Sequence, residues 1–292
     1  MITVKRKISK MSLYGLEEKR MHKKGSRVVW GATPAGTIWG GGAKPGTKDF
    51  FENVLEKRFA HEVPWLSSLV PFDSFNKMKV LELGCGAGYD AYFFCKNGAD
   101  YTGIDIALEN VERTKRHLSF YGYTPNVIEG DAEELPFEDE IFDLVYSNGV
   151  LHHTPDINKA FCESHRVLKS GGVFYIIVYH RNSIFYWITL FLFDHCLRLG
   201  FMKRGFKERL SMIEYTTSHE LPLVNVYTRR YLKKLLRHSR FAIKSLWVRK
   251  LVKEDLPAIP ILARLWRFIP QPWLDFLGKR FGWYLIAKAE KI

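Results

Sequence analysis

Three glycines stand at every second position, Gly84, Gly86 and Gly88, between the apolar run Val80-Leu81-Glu82-Leu83 and a helical pattern beginning near Asp90. Glycine permits backbone angles that a β-carbon forbids, and it lets a ligand approach the main chain. A strand feeding such a loop and then a helix aims free N–H groups at whatever lies above the strand end. That is the chemistry of a nucleotide-type site. Tyr89 stands where the dinucleotide fingerprint needs its last glycine, and no Lys-Ser/Thr pair follows, so neither that fingerprint nor a P-loop is present. Two carboxylates add to the loop. Asp105 lies 21 residues after Gly84 at the expected end of a second strand, placed to accept hydrogen bonds from two ribose hydroxyls. Asp131 ends a third strand, where a carboxylate can take an adenine amino hydrogen while the next backbone N–H serves a ring nitrogen.

The elements that must position these groups follow from periodicity. Strands are expected at 80–83, 101–104, 126–128, 141–146 and 173–179, and helices at 90–96, 108–120 and from Thr154 to about Leu168. The last has Thr154 as N-cap with Pro155 in its first turn. This alternation predicts a parallel sheet covered on both faces. It breaks after Tyr179. An aromatic and basic insertion fills 180–226, a helix is expected at 228–239 and a strand at 241–248. A second insertion fills 250–281, and Trp283–Ala289 closes as a last strand. Before the repeat, 1–27 reads as a polar arm. Residues 28–42, rich in Gly and aromatics, read as a loop able to fold over a ligand through Trp30 and Trp39, with a plain linker as the competing reading. An amphipathic helix is expected at 48–62, with Phe51, Leu55 and Phe59 on one face. The expected organisation is an arm and lid over 1–47 and one domain over 48–292, its cofactor-binding core at 78–180.

The 292 residues suffice for one large domain with additions. Net charge is +13, but 80–170 holds 16 acidic and 7 basic residues, a balance of −9, so the remainder carries +22. Basic additions on an acidic core suggest an anionic partner such as a membrane surface, a phosphorylated substrate or nucleic acid; a solvated basic surface is the equal alternative. The cysteines, Cys85, Cys95, Cys162 and Cys196, form no metal spacing, so no metal and reduced thiols are expected. No secretory signal is seen at the N-terminus and no uninterrupted run of ~18 apolar residues exists, so the expectation is a cytoplasmic protein, with peripheral contact at the inner membrane face left open.

With these pieces the chain resembles the class I S-adenosylmethionine-dependent methyltransferases, and more narrowly the ubiquinone/menaquinone-type methylases. The matching residues are Glu82-Leu83-Gly84-Cys85-Gly86-Ala87-Gly88, Gly103-Ile104-Asp105 and Gly130-Asp131-Ala132-Glu133-Glu134-Leu135-Pro136-Phe137. They continue with Phe142–Ser147, Gly149–Asp156 and Arg166–Gly172. The resemblance covers about 78–180. It implies an α/β Rossmann-like fold with seven strands in the order 3-2-1-4-5-7-6, helices on both faces, and insertions after strands 5 and 6. It implies S-adenosylmethionine as cofactor, with Gly84, Gly86 and Gly88 lining its methionine end and Glu82 supporting the loop. Asp105 would take the ribose, Ile106 would pack on the adenine, and Asp131 and Ala132 would read the adenine edge. Asn148 would lie beside the methionine or the reacting centre.

The acceptor is less legible. For a hydroxyl acceptor a base helps, by ~10²–10⁴-fold. His152 and His153 sit where the fourth strand opens into the active-site loop, and His180 lies just beyond the fifth; each has a packed, structural histidine as its competing reading. The motif Asp/Asn/Ser-Pro-Pro-aromatic is absent after the fourth strand, where Ser147-Asn148-Gly149-Val150 stands, which argues against a nucleobase amine. Ile184–Phe193 is apolar all round and must be buried or meet lipid. Trp266 and Trp273 among Arg and Lys have the composition of an interfacial element. A small-molecule acceptor, lipophilic or membrane-held and methylated at oxygen, is favoured; enclosure of a small soluble substrate competes with it. An RNA methyltransferase and a non-catalytic, cofactor- or partner-binding protein of this fold remain as alternatives.

Overall fold

The computed structural model describes residues 2–33, 36–214, 220–258 and 264–292, with side chains from residue 17 onward. Pro34 and Ala35 of the expected lid, 215–219 of the first insertion and 259–263 of the second lie outside the described residues.

Seven strands form one sheet: β1 (Lys79–Leu83), β2 (Asp100–Asp105), β3 (Asn126–Glu129), β4 (Phe142–Asn148), β5 (Leu168–Tyr179), β6 (Phe241–Arg249) and β7 (Tyr284–Lys291). Their order is β3-β2-β1-β4-β5-β7-β6, as the resemblance implied. The first five are mutually parallel, and β7 runs antiparallel between β5 and β6. Apolar side chains alternate across the sheet, as the two-residue period of a strand requires. Val80, Leu144, Tyr146, Tyr175 and Ile177 face α4 (Tyr89–Lys96) and α5 (Leu108–Ser119), burying Phe94, Val111 and Leu118. Leu81, Leu83, Val145, Phe174 and Ile176 face the other way, onto α6 (Ile157–Val167) and α8 (Arg229–His238), with Phe161, Leu232 and Leu236. Both faces being covered explains why β4 and β5 read as nearly continuous apolar runs. The strand order reverses between the parallel neighbours β1 and β4, and in such sheets ligands bind outside the strand ends at that point.

Three local expectations need correction. The N-terminal stretch is not an arm followed by a loop: α1 runs from Ile2 to Ala32 and takes in 28–32 of the expected lid. Val29 is fully buried, and Arg113 of α5 donates to the carbonyls of Trp30 (3.2 Å) and Gly31 (2.6 Å), satisfying acceptors of the last helical turn. The cap of α6 is Asp156, whose carboxylate accepts from the Lys159 N–H at 3.2 Å, while the Thr154 hydroxyl donates back to the Leu151 carbonyl. Asn148 is the last residue of β4 rather than a loop residue.

The expected helix at 48–62 is α2 (Lys48–Lys57), capped by Thr47, continued by one wider π-type turn over Arg58–Glu62. A short α3 (Leu66–Leu69) leads into the sheet. In the first insertion Phe185–Leu197 is also π-helical and is followed by α7 (Phe206–Ser211). Tyr186, Thr189 and Leu190 are buried, while Trp187, Ile188 and Leu192 are exposed, so this segment is only half enclosed. The second insertion ends in α9 (Gln271–Phe281).

Candidate active site

The β1–α4 loop carries the strand end into the helix through three residues with positive φ: Gly84 (+77°), Gly86 (+57°) and Gly88 (+78°). Gly84 is required twice over, because a β-carbon there would also lie 2.4 Å from Val150. At Gly86 a β-carbon would meet nothing within 4 Å; the space beyond it is open cavity. That loop is held from below. The Asp105 carboxylate accepts from the N–H groups of Gly86 (2.9 Å) and Ala107 (3.0 Å) and from the Asn110 amide (3.2 Å), and Thr114 donates to the Gly86 carbonyl (3.0 Å). Burial raises the Asp105 carboxyl above its ordinary value, against the pull of those N–H donors.

A cavity of about 450 Å³ opens above this loop. Of the residues singled out from sequence, Gly84, Gly86, Asp105, Ile106, Asp131, Ala132, Asn148 and His153 line it. Four do not. Glu82 is buried beneath the loop, accepting from the Tyr101 hydroxyl at 2.5 Å; burial, then the charge of Asp90, pushes its carboxyl well up. Gly88 opens α4 against Thr114. His152 is fully buried behind His153, their ring centroids 3.9 Å apart. His180 is locked into the scaffold: its Nδ1 meets the Gly282 carbonyl at 3.1 Å, and its backbone N–H donates to Trp283. The antiparallel return of the chain into β7 covers it.

Helix α1 roofs the cavity at its Asp131 end. Lys23 bridges Asp131 (2.5 Å) and Glu133 (2.7 Å), Lys19 pairs with Asp156 (2.7 Å), and Lys23, Ser26 and Trp30 line the cavity. Burial acts to lower the Lys23 ammonium, but the two carboxylates raise it on balance.

Along the opposite wall runs a chain of polar groups of which sequence reasoning found only Asn148. Arg58 donates to one Asp90 oxygen at 2.5 Å; Tyr146 and Asn148 both donate to the other at 2.8 Å. The Arg58 Nε lies 3.7 Å from Glu62, which accepts from the Tyr284 hydroxyl at 2.7 Å. Burial works to raise the Asp90 carboxyl, yet Arg58 and the two other donors hold it below its ordinary value. The i,i+4 pair Arg58/Glu62 is visible in the sequence, but such a pair reads equally as a solvated helix face.

Beyond this wall the lining turns aromatic, with Trp30, Phe185, Tyr179, Trp283 and Tyr284. His153 faces this end. Its Nδ1 lies 2.6 Å from the Leu223 carbonyl, which only accepts, so the proton sits on Nδ1 and the lone pair on Nε2. Nε2 lies 3.8 Å from Glu214, whose same oxygen accepts from the Tyr179 hydroxyl at 2.6 Å. Burial lowers the His153 imidazole, opposed by Glu214 and Leu223, and leaves it neutral. Glu214 comes from the first insertion, where no motif announced it.

A family description of a methyltransferase domain matches residues 81–176, the stretch that builds the glycine loop, Asp105, Asp131 and Asn148. Residues 81–176 are a methyltransferase domain. Among curated proteins, the chain resembles a sterol 24-C-methyltransferase of Gibberella zeae, at 32% identity over 121 residues, 40% of this chain and 30% of that protein. It also resembles the phthiotriol/phenolphthiotriol dimycocerosates methyltransferase of Mycobacterium tuberculosis, at 35% over 112 residues, 37% of this chain and 41% of that protein. The chain thus spans well under two thirds of the length of the curated relatives it matches. Its fold matches the crystal structure of an S-adenosylmethionine-dependent methyltransferase from Mesorhizobium loti, with a TM-score of 0.54 and 18% identity over 79% of this chain and 97% of that one. The lining residues fit S-adenosylmethionine, the cofactor that the Mesorhizobium loti structure's name carries. An open glycine cradle, two carboxylates and the apolar Ile106 between them suit a nucleoside with an amino acid tail.

Proposed function

We propose that this methyltransferase moves a methyl group from S-adenosylmethionine to the oxygen of a lipophilic small molecule. One observation supports the reading above the others: a single cavity joins the glycine loop, Asp105 and Asp131 at one end to an aromatic chamber holding His153 and Glu214 at the other. When bound, S-adenosylmethionine supplies an activated methyl group on a sulfonium. Asp105 would accept from the ribose hydroxyls, Asp131 and Ala132 would read the adenine edge, Ile106 would pack on its face, and the glycine loop would take the methionine end. Asn148, its amide nitrogen committed to Asp90, would hold its place beside the methionine. Most of the rate comes from alignment, which is worth about 7–11 kcal/mol. The chamber aligns the acceptor between Trp30, Phe185 and Trp283, and α1 excludes water above it.

Of the three histidines expected as a base, His153 is the one this reading uses. Its neutral ring carries a lone pair on Nε2 facing the chamber wall, and Glu214 would stabilise the imidazolium formed when it takes a hydroxyl proton. His152 and His180 do not line the cavity.

The lipophilic class is supported by the aromatic chamber and by relatives whose names carry a sterol and a dimycocerosate lipid. A membrane-held acceptor is supported by the surface of the second insertion. Trp273 (71% exposed), Phe276 (73%) and Phe268 (82%) stand beside Lys279 and Arg280. Arg229 at the start of α8 donates to the Lys279 carbonyl, joining α9 to a helix that also carries Arg230, Lys233, Lys234 and Arg237. Aromatic side chains flanked by cations suit the interface of an anionic bilayer. Among the described residues no helix is long and apolar enough to cross a membrane. The test is transfer of labelled methyl to lipid extracts, with flotation on anionic liposomes. Label in the organic phase and salt-sensitive flotation are expected; label confined to water-soluble acceptors would overturn the lipophilic reading.

A further inference from the structure

His152 poses a problem that methyl transfer leaves unanswered. The side chain is fully buried, and neither ring nitrogen has a hydrogen-bond partner among the described residues. An unsatisfied buried polar group costs about 1–3 kcal/mol, so a nitrogen left bare in a packed site points to a missing ligand. The groups around it are the ones a metal ion needs. One donor atom each from His152, His153 and Glu214 lie within 4.8 Å of one another.

We propose that His152, His153 and Glu214 bind a divalent cation of the zinc type, with an open position toward the cavity. Two imidazoles and a carboxylate form the donor set of zinc sites that keep a fourth place for water or substrate. The nitrogen donors disfavour magnesium and calcium, which take oxygen ligands. The supporting contacts are in place. The Leu223 carbonyl fixes the His153 tautomer that leaves Nε2 free to ligate, and the Tyr179 hydroxyl orients the Glu214 carboxylate. The Tyr179 ring packs on His152 at 3.9 Å between centroids. Bonds of about 2.0–2.2 Å would draw the three donors closer than they now stand. His153 and Glu214 line the cavity, so the open position meets the space where the acceptor oxygen lies. Only this last placement rests on the methyl-transfer reading. The cation would take the same Nε2 lone pair that the proposed base uses. In the metal-free protein that lone pair takes a proton; in the loaded protein it holds the ion, and the ion holds the oxygen.

The site is tested on the full chain, stripped with chelator and titrated with Co²⁺ by visible absorption and with Zn²⁺ by calorimetry, without cofactor or acceptor. One equivalent is expected, with ligand-field bands of a nitrogen- and oxygen-ligated ion. His152→Ala should abolish the bands, and Tyr179→Phe should weaken binding about 10-fold. Glu214→Gln, at a partly accessible side chain, serves should His152→Ala fail to fold, and it too should lose stoichiometric binding. Absence of bands in the folded wild type, or equal binding by wild type and Glu214→Gln, would overturn the site. S-adenosylmethionine binding by the same samples separates the two ideas. Cofactor binding without metal binding removes only the cation site, and metal binding without cofactor binding removes only the methyl-transfer reading.

Discussion

The two ends of the cavity are built in different ways. The end proposed for the cofactor is made largely of backbone: a glycine loop with positive φ, pinned by Asp105 through the N–H groups of Gly86 and Ala107, all within the segment from β1 to α5. The other end, proposed for the acceptor, is made of side chains from distant parts of the chain, Trp30, Arg58, Glu62, Phe185, Glu214 and Trp283. The first construction fixes one ligand. The second can change residue by residue without disturbing the first. One protein can therefore share the glycine-loop segment with relatives whose match covers under half of it, yet carry a chamber of its own.

The sharpest way to break this division is to fill the cradle. Gly86→Val places a branched side chain into open cavity at φ +57°. Calorimetry should find no S-adenosylmethionine binding, while stability falls by only about 1–2 kcal/mol. Retained binding would mean the cradle lies elsewhere.

The next effect falls on stability. Arg58→Ala leaves Asp90 buried without its cation, a loss of about 3–5 kcal/mol in a denaturant titration. It also changes the response to acid. In the wild type the Asp90 carboxyl lies below its ordinary value of 3.8, so its contribution is complete above that pH and is lost as pH falls through the lower, folded value. Without Arg58 the folded value rises, and acid unfolding should begin at a higher pH. An unchanged acid midpoint would contradict the role given to this pair.

A smaller effect tests the independence of the acceptor end. Phe185→Ala should raise the KM of a lipophilic acceptor about 10-fold, equal to ~1.4 kcal/mol of lost apolar contact, and leave cofactor affinity unchanged. A joint loss would show the two ends to be coupled.

The smallest change is expected at Glu82→Gln. Its carboxyl is pushed well up by burial and by Asp90, so the folded state holds the proton more tightly than the unfolded one. That contribution is present at low pH and shrinks as pH rises through the folded value. An amide accepts from Tyr101 equally well and does not ionise, so stability near neutral pH should stay within about 1 kcal/mol of wild type or improve.

The same division explains what the sequence disclosed. The glycine loop, Asp105 and Asp131 were legible because they lie in contiguous segments with fixed spacing, and the strand order followed from the family resemblance that those segments carry. Glu214 was not: it stands 61 residues after His153 in a segment without a motif, and only the fold brings them together. His180 followed a strand as His153 did, but the return of β7 buried it, a fact of topology rather than of local pattern. Helix α1 was misread because Gly25 and the Val28-Val29 pair have low helix propensity and the like charges of its basic run repel one another. What holds it is tertiary: buried Val29, Arg113 on its last carbonyls, and Lys23 between Asp131 and Glu133.

The most direct test of the central claim is calorimetric titration of wild type and Asp105→Ala with S-adenosylmethionine and its demethylated product. Micromolar binding to the wild type, lost in a folded Asp105→Ala, is the predicted result. Equal binding by both proteins, or none by a folded wild type, would contradict the assignment of this cavity to the cofactor.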